Sequence, residues 1–138
     1  MIALGLLAIG ARVLAADFVF LRNAHNDTLE ASKQDLREIF TGKTKSWKNG
    51  QKIDIGLPPA GSAELKWIAQ ELISASEDIL LLKIKQETFK GDMKRPTPIA
   101  SASECIALVK KSAGGICVVD ADSARTLPDD VAILKYTK

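Results

Sequence analysis

Histidine is nearly absent from this chain and cysteine is scarce: His25, Cys105 and Cys117 are the whole supply of the two types. One histidine without a ligand-spaced partner leaves no basis for a metal centre. No carboxylate pair, nucleophile motif or glycine-rich phosphate loop stands out, and a catalytic serine would need a base that His25 has no partner to orient. The sequence therefore gives no support for an enzyme, and no cofactor is expected. An excess of one charge is also missing. With 19 Lys and Arg against 17 Asp and Glu the net charge is +2, a balance that does not point to nucleic acid. No internal repeat and no linker interrupts the chain. Its 138 residues, 46% hydrophobic and 26% charged, suit one folded domain rather than a disordered segment.

The start of the chain reads as an export signal. Met1–Ala11 is an uncharged apolar run, Arg12 interrupts it, and Val13-Leu14-Ala15-Ala16 supplies small residues before Asp17. A run of about ten suits a secretory peptide, whereas a membrane span needs about twenty. Residues 1–16 are thus expected to be a signal peptide and residues 17–138 a single mature domain. The other reading is an ordinary buried N-terminal element. Without a cysteine after the run, lipid anchoring there is excluded, and no membrane span is expected once the signal is removed.

Cys105 and Cys117 stand twelve apart, a pair that an oxidising compartment could join. Cys105 falls on the apolar helical face Ala102, Cys105, Ile106, Val109, and Cys117 inside a buried strand. A helix and its following strand sit a side-chain layer apart, while a disulfide needs alpha carbons within about 7 Å. Two buried free thiols are the expectation.

Elements alternate along the rest. Phe18–Arg22 reads as an apolar strand. Ser32 and Asp35 form a capping box, and Leu36, Ile39 and Phe40 make one helical face that Gly42 ends. Asn49-Gly50 marks a tight turn before a strand over 52–56, with Ile53 and Ile55 on one side. After Pro58-Pro59, a helix from Ser62 to about Ser74 carries Leu65, Ile68, Ala69, Leu72 and Ile73 at helical spacing. Ser76 caps the next helix, which places Glu77 and Asp78 in its first turn and runs to about Phe89. Gly91, Pro96 and Pro98 mark a loop. Ser101 and Glu104 open the cysteine-bearing helix, Ala113-Gly114-Gly115 turns it into the strand Ile116–Val119, and Val131–Tyr136 is a last strand. The expected core includes Ile39, Phe40, Ile53, Ile55, Ile68, Leu72, Val109, Ile116 and Val118.

Several short motifs follow in order: Ile39-Phe40-Thr41-Gly42-Lys43, Trp47-Lys48-Asn49-Gly50, Gly61-Ser62, Phe89-Lys90-Gly91 and Gly114-Gly115-Ile116. Over Phe18–Tyr136 the chain resembles the phosphate ABC transporter substrate-binding-protein-like family. The resemblance implies an α/β fold: a single lobe of a type 2 periplasmic-binding-protein domain, its central mixed sheet flanked by about four helices. It also implies a periplasmic or secreted location and a small phosphate-like anion as ligand. Two-lobed members are much longer, so a protein partner supplying the missing lobe is implied as well.

The departures from that family concern the ligand. An arginine four positions before the Gly-Ser clamps the anion in phosphate-binding members, and Leu57 stands there in this chain. Ala63 and Glu64 take the places of a small residue and a threonine, and Glu64 would repel phosphate. Cys117-Val118 replaces the Gly-Tyr pair at the strand entry. Two lost charge-assisted hydrogen bonds, each about 1.5–3 kcal/mol, would weaken phosphate binding by roughly 10²–10⁴. Hence a second expectation, an accessory or interaction protein that kept the scaffold and lost the ligand.

The candidate ligand positions are Gly61, Ser62 and Ala63, where a helix start gathers unpaired N–H groups and the positive end of a dipole. Ser62 either contacts an anion or only caps its own helix. Trp47 is either a platform against a ligand or a cover for a helix end. His25 is expected to be a solvated loop residue. Lys43, Lys45, Lys48 and Lys52 form either a solvated turn or an anion-attracting patch.

Overall fold

The computed structural model describes residues 17–91 and 93–138. The signal-peptide reading of residues 1–16 lies outside the described residues. The elements in chain order are β1 (Phe18–Asn23), β2 (Glu30–Ser32), α1 (Lys33–Phe40), β3 (Asp54–Leu57), α2 (Ala63–Ile73), α3 (Glu77–Phe89), β4 (Thr97–Pro98), α4 (Ala102–Lys111), β5 (Gly115–Asp120) and β6 (Val131–Thr137). One sheet holds the strands in the order β2-β6-β1-β5-β3-β4. Because β1 opposes both β5 and β6 while every other pairing is parallel, β1 alone runs against the rest. The helices that follow β2, β3 and β4 therefore all start at one end of the sheet.

Side-chain alternation along the strands splits the core into two layers. Phe20, Ile116 and Val118 face Leu36, Phe40, Leu65, Ile68, Leu72 and Leu80 of α1, α2 and α3. Leu21, Cys117 and Val119 face Cys105 and Val109 of α4. All nine residues expected in the core are buried.

Local chemistry explains the boundaries. The Ser32 Oγ accepts from the Asp35 N–H at 3.1 Å and the Asp35 carboxylate accepts from the Ser32 N–H at 2.9 Å, the full capping box. The α2 helix ends where Ser74 takes a left-handed conformation at φ +51°. Ser76 occupies the N-cap position of α3, but its hydroxyl makes no cap bond. Strands β2 and β4 went unseen in the sequence, since runs this short, one of them containing a proline, carry no periodic signal.

The expectation of two free thiols is corrected. Cys105 and Cys117 are joined by a disulfide, with alpha carbons 6.0 Å apart and both residues buried. Helix α4 comes this close because the neighbouring strand offers no side chain beneath it. A Cβ on Gly56 would lie 2.9 Å from both the Cys117 Cβ and the Leu108 Cδ2.

Candidate functional site

Strand β3 leads through Pro58–Gly61 into α2, and β4 leads through Ile99–Ser101 into α4. Since β3 and β4 are parallel neighbours, the two helix starts meet at the same end of the sheet. Between them lies a cavity of about 90 Å³ lined by Pro58, Pro59, Ser62, Glu64 and Ser101, with Val118 and Val119 of β5 behind.

Each helix start is capped from within. Gly61 adopts φ +88°, which brings the Ser62 N–H to the Pro59 carbonyl at 3.0 Å. The Ser62 Oγ accepts from the Leu65 N–H at 3.1 Å, so Ser62 caps its own helix. At α4 the Ser101 Oγ accepts from the Glu104 N–H at 3.2 Å, and the Glu104 carboxylate accepts from the Ala100 N–H at 2.8 Å. The Gly61 N–H donates at 2.5 Å to the carboxylate of Glu77, the first residue of α3. Lys66 lies 4.0 Å from that carboxylate.

Of the three predicted ligand positions, Ser62 lines the cavity, Gly61 has its N–H bound to Glu77, and Ala63 is exposed as the first residue of α2. By helix geometry the N–H groups of Ala63 and Glu64 lack intrahelical acceptors. These donors and two helix dipoles favour negative charge, and the Glu64 carboxylate on the cavity wall opposes it. Leu57 lines a separate cleft beside α3, not this cavity.

Ser101 and Glu77 escaped the sequence reading as site residues. Both helix starts were legible, but only the sheet order places them together.

The other candidates lie elsewhere. Trp47 is buried, and its Nε1 donates to the Gly114 carbonyl at 3.0 Å, so it belongs to the core. His25 is exposed in the loop after β1, its backbone N–H bound to the Asn23 Oδ1 at 2.8 Å. Lys43, Lys45, Lys48 and Lys52 are exposed near the start of β3, at the opposite end of the sheet from the helix starts.

Carboxylates away from the cavity are held by neighbours. A hydrogen bond from the Ser32 N–H lowers the Asp35 carboxyl below its usual range. Burial raises Asp54, but hydrogen bonds from Lys94 and Ser112 outweigh it and keep the group low. The Ser123 hydroxyl lowers Asp120, and the Tyr136 hydroxyl lowers Glu71 across a 2.7 Å bond.

The fold has counterparts among solved structures. An ABC-type phosphate transport receptor from Vibrio cholerae superposes with TM-score 0.57 at 16% identity, over 87% of this chain and 46% of that one. PstS from Borrelia burgdorferi gives TM-score 0.65 at 14% identity, over 88% of this chain and 48% of that one. A putative phosphate ABC transporter substrate-binding protein with bound phosphate, from Clostridium perfringens, gives 0.63 at 14%, over 87% and 44%. The fold is one lobe of a phosphate-binding-protein-like structure. At such identities the likeness shows the fold alone, and this lobe spans under half the length of each of those chains. No family model matches the sequence, and no curated protein matches it. No helix among the described residues is long and apolar enough to cross a membrane.

Proposed function

We propose that this chain is an exported solute-binding-protein-like domain that holds a small anion weakly, or with a partner supplying the second wall of the site. The observation that carries this reading is the meeting of the α2 and α4 starts at one cavity, with Ser62 and Ser101 on its lining. Two dipole ends and the N–H groups of Ala63 and Glu64 form a neutral anion cradle of the kind found at helix N-termini. Phosphate is the ligand named for one solved relative of this fold, which supports a phosphate-like anion here. Neutral hydrogen bonds contribute about 0.5–1.5 kcal/mol each, so three or four of them with a helix-dipole term of about 0.3–1 kcal/mol give at best roughly millimolar to tens-of-micromolar affinity. The role is binding, not catalysis, and Gly61, Ser62 and Ala63 form the ligand-side turn. Residues 1–16 act as the signal peptide, and residues 17–138 as the mature periplasmic or secreted domain.

A second reading is favoured by the carboxylates. Glu77 already occupies the Gly61 N–H, and Glu64 stands on the cavity wall. An accessory protein that kept the scaffold and lost its ligand would look like this.

Calorimetric titration of the purified protein with phosphate, sulfate and small carboxylates separates the two. Weak binding lost in Ser62→Ala together with Ser101→Ala supports the anion reading. No heat with any anion favours the accessory role, and submicromolar phosphate binding overturns the weak-site argument. Mass spectrometry of protein from its own cells tests export, with an N-terminus at Ala16 or Asp17 expected and retained Met1 refuting it.

A further inference from the structure

The outer face of α3 carries more apolar exposure than a solvated helix needs. Phe89 is 92% exposed, and Leu82, seven residues earlier on the same face, is 50% exposed. Beside them a groove of about 550 Å³ opens between α3 and β4. Leu57, Leu81 and Ile84 give it an apolar lining, and Pro96 and Pro98 close its far side. Its charged lining residues are Lys85 and Arg95, with no carboxylate among the lining and neither cation in an ion pair among the described residues. Thr88 lines the same groove, and its buried hydroxyl has no hydrogen-bond partner among the described residues.

We propose that this groove is a docking site for an amphipathic, acidic helix of a partner protein. Large exposed apolar surface rimmed by polar groups marks interaction sites. The two cations select carboxylates on the flanks of the incoming segment. An added strand is the poorer occupant. Although β4 is the edge of the sheet, Pro96 and Pro98 lack the N–H groups that strand addition uses. A helix laid against α3 instead sets apolar residues at i, i+3 or i+4 and i+7 into the groove. The inference does not rest on the anion reading, because Ser62 and Ser101 line a different cavity.

The test uses the full chain and three synthetic helix-forming peptides of about 18 residues, a length near five helical turns. They share one Leu/Phe stripe and carry Glu, Gln or Lys on its flanks, and fluorescence anisotropy reads their binding. The Glu peptide is expected to bind at least about tenfold more tightly than the Lys peptide. Leu82→Ser with Phe89→Ser should weaken it by about tenfold or more, as loss of a central apolar anchor does. Lys85→Glu with Arg95→Glu should reverse the flank preference, an outcome that a purely structural role for these residues would not produce. Lys85, Phe89 and Arg95 line the groove and Leu82 is exposed beside it, and thermal melts confirm that each variant folds. Equal binding of the Glu and Lys peptides, or insensitivity to the groove variants, overturns the proposal. Self-association abolished by Leu82→Ser with Phe89→Ser would instead assign the face to a second copy. Tighter binding to phosphatidylserine vesicles than to any peptide, lost in the same variant, would assign it to a membrane.

Discussion

The Glu77 carboxylate accepts a 2.5 Å hydrogen bond from the Gly61 N–H, tying the start of α3 to the turn that opens α2. An internal acid thus occupies a donor that an exogenous anion would otherwise meet. Glu77→Ala is expected to raise phosphate affinity by a few-fold, and Glu64→Thr added to it should raise affinity further. The same substitution removes a hydrogen bond to a charged group, at a cost of about 1.5–3 kcal/mol. Calorimetry and denaturant titration on one protein sample read the two effects together. Tighter stability with unchanged phosphate binding would contradict both.

The disulfide between Cys105 and Cys117 closes a short loop, and a loop of this size stabilises by about 3 kcal/mol. Intact-mass analysis should show the oxidised chain, and Cys105→Ser with Cys117→Ser should lower the urea midpoint accordingly. Because α4 is fastened to β5 beside the cavity, loss of the bridge should also weaken anion binding.

Phe40 is fully buried and its ring lies 6.0 Å from that of Phe20, across the helical layer. Phe40→Ala should cost about 3–5 kcal/mol, since both transfer energy and a cavity are involved. Equilibrium unfolding measures it, and a loss below about 1 kcal/mol would show that the site collapses around the gap.

Acid should destabilise the fold through Asp35, Asp54, Glu71 and Asp120, whose carboxyls are all lowered in the folded state. A lowered folded pKa means that the unfolded chain binds protons first. This stabilisation is full above the unfolded value near pH 4 and fades as pH falls through the folded values. Melting temperatures should be flat above about pH 5 and decline below about pH 4. Asp54→Asn, which removes the titrating carboxylate that Lys94 and Ser112 hold, should flatten part of that decline.

Much of the architecture was legible in one dimension because its causes are local. The capping box at Ser32 and Asp35, the apolar stripe Leu65–Leu72, and the alternation of Ile116 and Val118 with Cys117 and Val119 depend only on spacing and side-chain chemistry. Long elements repeat their pattern several times and announce themselves. Strand β4 has no such pattern, and it forms because β3 lies ready to pair with it.

What tertiary structure decided were distances between segments. A generic helix-to-strand spacing argued against bonding Cys105 to Cys117. A bare glycine on the adjacent strand let the helix settle to 6.0 Å between alpha carbons. In the same way, Ser62 was legible as a helix start, but not Ser101 as its companion or Glu77 as the acid bound to Gly61. Those relations follow from strand order, which is set by the packing of two apolar layers on one sheet rather than by any run of residues along the chain. Local spacing set the longer elements and their buried faces; the sheet determined which of their ends meet.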